Sequence, residues 1–364
     1  MEDCRLQETQ EVKARLDPFL LRMLDRFDQP REGLGPVVKD LPFLVSPFLK
    51  RRVEEGSYSA QAFRQFMPDA LEVQKLAGYV PDPNDESAKR PEQADSLIQS
   101  YDDRALLTLT LRCLVYCRFC FRRDAVGDGT HITLPDLAKA LDFLRAHSEI
   151  EDVVISGGDP LAAPRELFKA AIRGLCALPH IHKVRISTRA VNASPAAFTD
   201  ELVEFLSGYG SRVDIFTHIN HPDDIDHPEV IACVKRIRRA GMSMYNQGVI
   251  LGGVNDNPEA QVRLSKLLYW NGIVDCYRFL PDPAAGTAHF DVTDERIVEI
   301  TTALSKISGP AQPQIVFVNA SDRKERCLPG DAGTMSSFLE HRRAEIAKMV
   351  VRKSPIVLES AGRR

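Results

Sequence analysis

Almost nothing in this sequence directs the chain to a membrane, a nucleic acid or an oxidising compartment. It has no run of eighteen or more apolar residues, which excludes a transmembrane helix. The formal net charge is only −4, so no field of one sign recruits nucleic acid or an anionic bilayer. Residues 1–10 are polar and acidic and lack the charged-then-apolar order of a secretory signal. No Pro/Gly or Gln/Asn tract biases the composition; 44% of residues are hydrophobic and 27% charged, the balance of a chain that packs a core. These absences predict a cytoplasmic protein. Its 364 residues suffice for one large domain with an appendage or for two modest ones. Cysteine is scarce as well. Cys4, Cys176, Cys233, Cys276 and Cys327 stand alone and read as small buried apolar residues, because a reducing compartment disfavours a disulfide framework. Cys113, Cys117 and Cys120 crowd together and need another explanation.

The first hundred residues differ in pattern from the rest. Apolar positions at helical spacing over Glu11–Phe27 predict a helix, and a second helical stretch is expected around Ser59–Gly78. Residues 80–95, VPDPNDESAKRPEQAD, are rich in proline and charge without periodicity and read as a loop or linker. From Tyr101 onward, strand-like runs (105–111, 153–155, 184–187, 213–217, 244–250, 274–279 and 315–318) alternate with amphipathic stretches near 134–147, 165–178, 198–208, 229–240, 258–270 and 294–307. Such repeats imply parallel strands with right-handed crossover helices, hence an α/β fold: a full or partial (β/α) barrel. The expected organisation is a helical N-terminal region (1–97), a barrel core (98–335) and a C-terminal helix and tail (336–364). Functional groups should gather at the C-terminal ends of the strands.

Directly after the first strand-like run, residues 108–123 read TLTLRCLVYCRFCFRR, a spacing of Cys113-x3-Cys117-x2-Cys120. Three thiolates on a tight loop can reach one metal centre. A four-iron cube held by three thiolates leaves one iron open, whereas electron-transfer clusters are usually closed by four. Structural zinc wants four ligands, and no fourth Cys or His lies nearby in sequence. Coincidental packing is the third reading, and the scarcity of cysteine elsewhere weighs against it. Later strand ends carry Ser156-Gly157-Gly158-Asp159-Pro160, then Thr188-Arg189, then Thr217-His218-Ile219-Asn220-His221-Pro222, then Asn246-Gln247-Gly248-Val249. Two adjacent glycines allow close backbone approach to a ligand, and Asp159 can accept from an ammonium. Singly, SGGDP reads as a tight turn, and His218 or Gln247 as a satisfied structural hydrogen bond.

The cysteine motif after the first strand of a β/α barrel resembles the radical S-adenosylmethionine (radical SAM) superfamily. In that superfamily the open iron chelates the methionine amino and carboxylate groups, and one-electron cleavage yields a radical that abstracts a substrate hydrogen. The whole series resembles one subfamily, the lysine 2,3-aminomutases. It runs SGGD, Arg185-Ile186-Ser187-Thr188-Arg189, THINHP, the stretch from Asn246 to Asp256, and Asp282 with Gly286 and His289-Phe290. Similarity extends from about Ser46-Pro47-Phe48, through Pro68-Asp69-Ala70-Leu71-Glu72, to Pro329.

The resemblance implies an isomerase that moves an α-amino group to the β-carbon, using a [4Fe-4S] cluster, S-adenosylmethionine and pyridoxal 5′-phosphate (PLP). It makes Cys113, Cys117 and Cys120 the cluster ligands and puts Asp159, Thr188, His218 and Gln247 around S-adenosylmethionine. Arg122 would grip the substrate carboxylate, since a guanidinium pairs with it bidentately. Tyr101 and Arg104 match positions near PLP, and Arg189 is a candidate phosphate partner. Implied partners are a small amino-acid substrate and a reductant such as flavodoxin or ferredoxin, with neither nucleic acid nor membrane; a homo-oligomer is left open. Two departures bear on this. The family's PLP lysine lies in a glycine-rich segment, but here residues 319–329 read NASDRKERCLP. Lys324 then reads either as that lysine or as a solvated loop lysine. Lysine-specific members place two aspartates about the side-chain ammonium; Asp282 matches the first, and Asn319 stands at the second, leaving lysine, arginine or a modified lysine as substrate. Two alternatives stay open: a radical enzyme of this scaffold without PLP, and a non-catalytic zinc-binding module.

Overall fold

All seven strand-like runs become parallel strands, and each amphipathic stretch between them becomes a crossover helix. The computed structural model of the chain describes residues 16–353, apart from residues 128, 308, 322 and 331. One nine-stranded sheet runs in sequential order: β1 (Leu97–Tyr101), β2 (Arg104–Thr110), β3 (Asp152–Gly157), β4 (Lys183–Ser187), β5 (Val213–Thr217), β6 (Ser243–Val249), β7 (Val274–Phe279), β8 (Gln314–Val318) and β9 (Lys324–Cys327). Neighbours from β2 to β8 are parallel; β1 lies antiparallel on β2, and β9 antiparallel on β8. No ladder joins β1 to β9 among the described residues, so the sheet is a partial barrel. Its two margins still meet through side chains: the Arg323 guanidinium lies 4.5 Å from the centre of the Tyr101 ring.

Strand parity separates core from cavity. Ala105, Leu107, Val153, Ile155, Val184, Ile186, Val213 and Ile215 point outward into one apolar cluster beneath the helices. Between them Leu106, Val154, Ser156, Arg185, Ser187 and Phe216 line the interior. Helix Arg165–Ala177 shows how the sequence builds the outer layer. Leu167, Phe168, Ala171, Ile172 and Leu175 are buried at helical spacing, each large side chain contributing roughly 1.5–3 kcal/mol. Helix Leu134–Ala146 starts at Thr133, whose hydroxyl accepts from the Asp136 N–H while the Asp136 carboxylate accepts from the Thr133 N–H. Among the described residues no helix is long and apolar enough to cross a membrane.

The N-terminal region departs most from expectation. The first helix is Pro18–Arg26; residues 11–15 of the expected stretch, like the tail 354–364, lie outside the described residues. The expected helix over 59–78 is instead a turn of helix (Ala60–Phe63) followed by 3-10 pieces at Arg64–Phe66 and Ala70–Val73. Pro68 is the cause. It pushes Met67 to φ −78°, ψ 127°, out of the helical basin. The stretch over 80–95 is no free linker either, because Val80 bridges to Ala284 and Asn84, Glu86 and Lys89 reach the cavity.

A buried ion cluster ties this region to the cysteine loop. The Glu72 carboxylate accepts from Arg118 Nε (3.0 Å) and Nη2, and from Arg123 Nη2 (2.6 Å). Arg118 also donates to the Leu41 carbonyl at 2.8 Å. All three charged side chains are at most 1% exposed. Glu72→Ala would leave the buried Arg118 without a carboxylate and Arg123 with only Asp40 at 3.7 Å, and breaking a buried pair in this way typically costs about 3–5 kcal/mol. Denaturant unfolding should register that loss, with Glu72→Gln intermediate; an unchanged midpoint would mean that water reaches the cluster.

Candidate active site

The interior face of the sheet, with the loops after β2 and β3, encloses a cavity of about 360 Å³. Cys113, Cys117 and Cys120 line one part of it, and Lys324 another. The three cysteines are half-buried free thiols, and the Cys113 and Cys120 side chains pack against Leu41, Tyr116 and Val126. Among the described residues no three His, Cys, Asp or Glu side chains converge to hold a metal ion. A polynuclear centre, which spreads its ligands over separate metal corners, suits three thiols lining one wall better than a mononuclear ion does.

The glycine turn after β3 has a structural reason beyond ligand approach. A Cβ on Gly158 would sit 2.1 Å from the Arg112 carbonyl oxygen, and Gly157 has φ +102° with the Thr110 carbonyl 2.5 Å from its would-be Cβ. Gly158 N–H donates to Thr110 O (2.7 Å) and Asp159 N–H to Arg112 O (2.8 Å), so the turn is laced onto the strand leading into the cysteine loop. The Asp159 carboxylate accepts from Thr188 Oγ1 at 2.7 and 2.9 Å, from Leu161 N at 3.0 Å and from Arg189 N at 3.0 Å. These are three donors, the Thr188 hydroxyl being shared between the two oxygens, so about one of the four acceptor sites of the carboxylate is left. Asp159 and Thr188 therefore clamp β3 to β4, and both line the cavity, where the remaining acceptor site of Asp159 can face a ligand.

His218 and Gln247 line the same cavity at the ends of β5 and β6. Burial and the nearby Arg189 guanidinium push the His218 imidazole down to about 4, so it is neutral at physiological pH. Arg189 corrects one expectation. Its Nη2 donates to Gln65 Oε1 (2.7 Å) and its Nη1 to Cys117 Sγ (2.9 Å), with Asp224 3.7 Å away. Those three partners turn its guanidinium toward the thiol wall, whereas Arg104, Arg326 and Arg185 are the guanidiniums whose charge is felt at Lys324. Arg122 lies in the cavity wall with its Nε and Nη2 each 2.6 Å from a Glu86 carboxylate oxygen. Asp282 also lines the cavity, and the adjacent Pro281 carbonyl accepts from Arg342 Nη2 at 2.9 Å. Asn319 is not brought into the lining. Its amide N–H2 donates to Glu325 (2.7 Å), and its carbonyl accepts from the Ser321 and Arg323 N–H groups, both at 3.0 Å, which organises the β8–β9 turn.

Lys324 opens β9 opposite Val318, with its Nζ 4.6 Å from the Tyr277 ring centre and 5.1 Å from that of Phe279. It is no solvated loop lysine. Burial, followed by the positive charges of Arg104, Arg326 and Arg185, lowers its ammonium pKa to about 7. Arg104 stacks on Tyr101 at 4.2 Å, and Arg185, paired with Asp152, lies over Phe216 at 5.1 Å. An amine about half deprotonated at pH 7, with the charges of several guanidiniums nearby, suits condensation with a carbonyl compound that carries a phosphate.

Two cavity residues escape the sequence reading. Arg185 lies within the RIxxR pattern, and its position between the outward-facing Val184 and Ile186 was a usable parity signal. Glu86 had none, being one acid in a charged, aperiodic stretch.

Residues 107–264 match the family model of the radical SAM superfamily. The chain is 33% identical over 271 residues to the L-lysine 2,3-aminomutase of Haemophilus influenzae, covering 74% of this chain and 79% of that protein. To the L-lysine 2,3-aminomutase of Escherichia coli it is 32% identical over 299 residues, 81% of this chain and 86% of that protein. To that of Clostridium subterminale it is 32% identical over 290 residues, 79% of this chain and 69% of that protein. Together with the cysteine loop on a partial β/α barrel, these likenesses settle the assignment: the chain belongs to the lysine 2,3-aminomutase family of the radical SAM superfamily.

Proposed function

We propose that the protein is a radical SAM 2,3-aminomutase acting on an amino acid with a cationic side chain, lysine first among them. The observation that carries this reading is the shared cavity: Lys324, its amine lowered to about 7, faces the same space as Cys113, Cys117 and Cys120. The three cysteines would hold the [4Fe-4S] cluster, which with S-adenosylmethionine supplies the hydrogen-abstracting radical. Lys324 would hold PLP, which supplies the conjugated system that lets an amino nitrogen pass between adjacent carbons. Arg104 and Arg185, the latter taking the part first expected of Arg189, would receive the phosphate, with Tyr101 fixing the Arg104 plane. Neutral His218 can donate one hydrogen bond and accept another, and with Gln247 it would orient S-adenosylmethionine without adding charge.

Arg122 would bind the substrate carboxylate and Asp282 the distal ammonium. With Asn319 committed to the hairpin, Asp282 acts without the second aspartate of lysine-specific members. The test is anaerobic incubation of the reconstituted protein, with reductant, S-adenosylmethionine and PLP, against a panel of α-amino acids. A 3-amino product from lysine or arginine is expected. Asp282→Ala should raise the Michaelis constant for that substrate roughly 10- to 150-fold, the worth of a charge-assisted hydrogen bond of 1.5–3 kcal/mol. A best substrate with a neutral side chain, or a constant unmoved by Asp282→Ala, would discard the cationic class.

A further inference from the structure

Arg122 is already gripped by a carboxylate of the chain itself. Glu86 takes the side fork, Nε and Nη2, at 2.6 Å each, and Ser156 Oγ accepts from Nη1 at 3.2 Å. The guanidinium has five N–H donors in one plane. Glu86 uses one N–H on each of Nε and Nη2, and Nη1 has the Ser156 hydroxyl and, at 3.5 Å, the Gly157 carbonyl as acceptors. The terminal edge, with the second Nη2 N–H and the Nη1 N–H beside it held only by the long Gly157 contact, is where a second carboxylate can be received.

Glu86 is not a mobile side chain that happens to fall on Arg122. Its loop is built around Asp82, whose carboxylate accepts from the Glu86 N–H, the Ser87 N–H and the Ser87 hydroxyl, each at 3.0 Å. Asp85, immediately before it, stands at φ +51°, a left-handed conformation that Asp tolerates at some cost. The loop is anchored at its start: Val80 N–H donates to Pro283 O (3.0 Å), and Ala285 N–H donates to Val80 O (2.9 Å). One short segment thus joins the Asp282 turn to Arg122. The Glu86 and Arg122 side chains are 16% and 14% exposed, so their pairing is neither free in solvent nor sealed from the cavity.

We propose that Glu86 is a positioning residue that fixes the plane of Arg122 and presents its terminal fork to the carboxylate of the amino-acid substrate. This rests on the reading of Arg122 as the carboxylate site. Charge makes the idea testable. Glu86 is an anion near the anion to be bound, so its removal would by electrostatics alone strengthen binding. Weaker binding in a Glu86 variant must come from lost orientation. A carboxylate that merely blocks Arg122 until substrate displaces it predicts the opposite sign.

The experiment is anaerobic calorimetric titration of the cluster- and PLP-loaded protein with L-lysine and with L-lysinamide, which lacks the carboxylate. Glu86→Ala should weaken L-lysine at least tenfold and leave L-lysinamide unchanged. Glu86→Gln, which keeps an acceptor oxygen on the fork, should stay within threefold of the parent. Should Glu86→Ala shed iron, Glu86→Asp keeps the charge but not the reach and carries the same expectation as Glu86→Ala. Unchanged or tighter L-lysine binding in Glu86→Ala overturns the proposal. Arg122→Ala separates the underlying reading. If it preserves the preference for L-lysine over L-lysinamide, or if the parent binds no α-amino acid, Arg122 is not the carboxylate site and the role of Glu86 falls with it.

Discussion

Cys117→Ala is expected to lose most of the protein's iron and all reductive cleavage of S-adenosylmethionine, while Cys233→Ala leaves both intact. The contrast follows from where the two thiols sit. Cys233 is 1% exposed in the apolar cluster under the barrel, beside Val230 and Val234 of helix Pro228–Arg239. There a methyl replaces a small apolar group at modest cost. Cys117 faces the cavity with its sulfur accepting from Arg189 at 2.9 Å. Removing it takes away one of three thiolates and leaves the Arg189 guanidinium without that acceptor, in a wall that among the described residues carries no thiols besides Cys113 and Cys120. Cys117→Ser, whose oxygen is a poorer ligand for iron, should hold less iron than the parent and more than Cys117→Ala. Iron and sulfide analysis, visible absorbance and release of methionine read the outcome directly. Full cleavage activity in Cys117→Ala would remove the cluster assignment, and with it the radical chemistry built on it.

The seven parallel strands and their crossover helices were legible because each carries a periodic apolar signal of period 2 or 3.6. The elements that were not legible lack one. β9 reads KERC, four residues in a charged stretch, and becomes a strand only because β8 offers an unpaired edge for it to pair with. Lys324 was ambiguous for that reason: in sequence it has charged neighbours, and only the hairpin turns its side chain inward while Arg323 and Arg326 stay exposed. Asn319 erred the other way. Alignment with a substrate position gave it a binding role, but a carboxamide near a tight turn is readily taken up by local backbone groups. Arg189 illustrates the same limit. A sequence shows that a guanidinium stands at a strand end and not which acceptors surround it, and here Gln65, from the N-terminal region, decides its orientation.

Lys324→Met is expected to abolish amino migration, to spare cleavage of S-adenosylmethionine, and to make the PLP-free protein more stable. In the proposed reaction the lysine and the thiols would serve different steps, so the first two effects should separate. Borohydride treatment of the PLP-loaded parent should fix a pyridoxyl group on the peptide containing Lys324, and the variant should carry none. The third effect follows from linkage. In the unfolded chain the amine holds its proton up to its ordinary value of 10.5, whereas in the folded protein, buried and facing Arg104, it loses the proton at about 7. Between those two values the unfolded state binds more protons, so stability rises with pH across that window; below it the full cost of the buried ammonium is borne. The difference sets a ceiling of roughly 5 kcal/mol at about 1.4 kcal/mol per unit, and a gain of about 2–4 kcal/mol near neutrality is expected once partial solvation of the side chain is allowed for. Methionine matches the lysine stem in length and has no charge to desolvate. Urea unfolding at pH 7 and at pH 9.5 should show a gap between parent and variant that narrows at the higher pH, because the folded-state amine is already neutral there and giving up the proton that the unfolded chain still holds costs less as pH approaches 10.5. A gap that is absent or independent of pH would mean that the amine is solvated and charged in the folded protein. A pyridoxyl label found on another lysine would move the PLP site, and no label at all would favour a radical enzyme of this family that works without PLP.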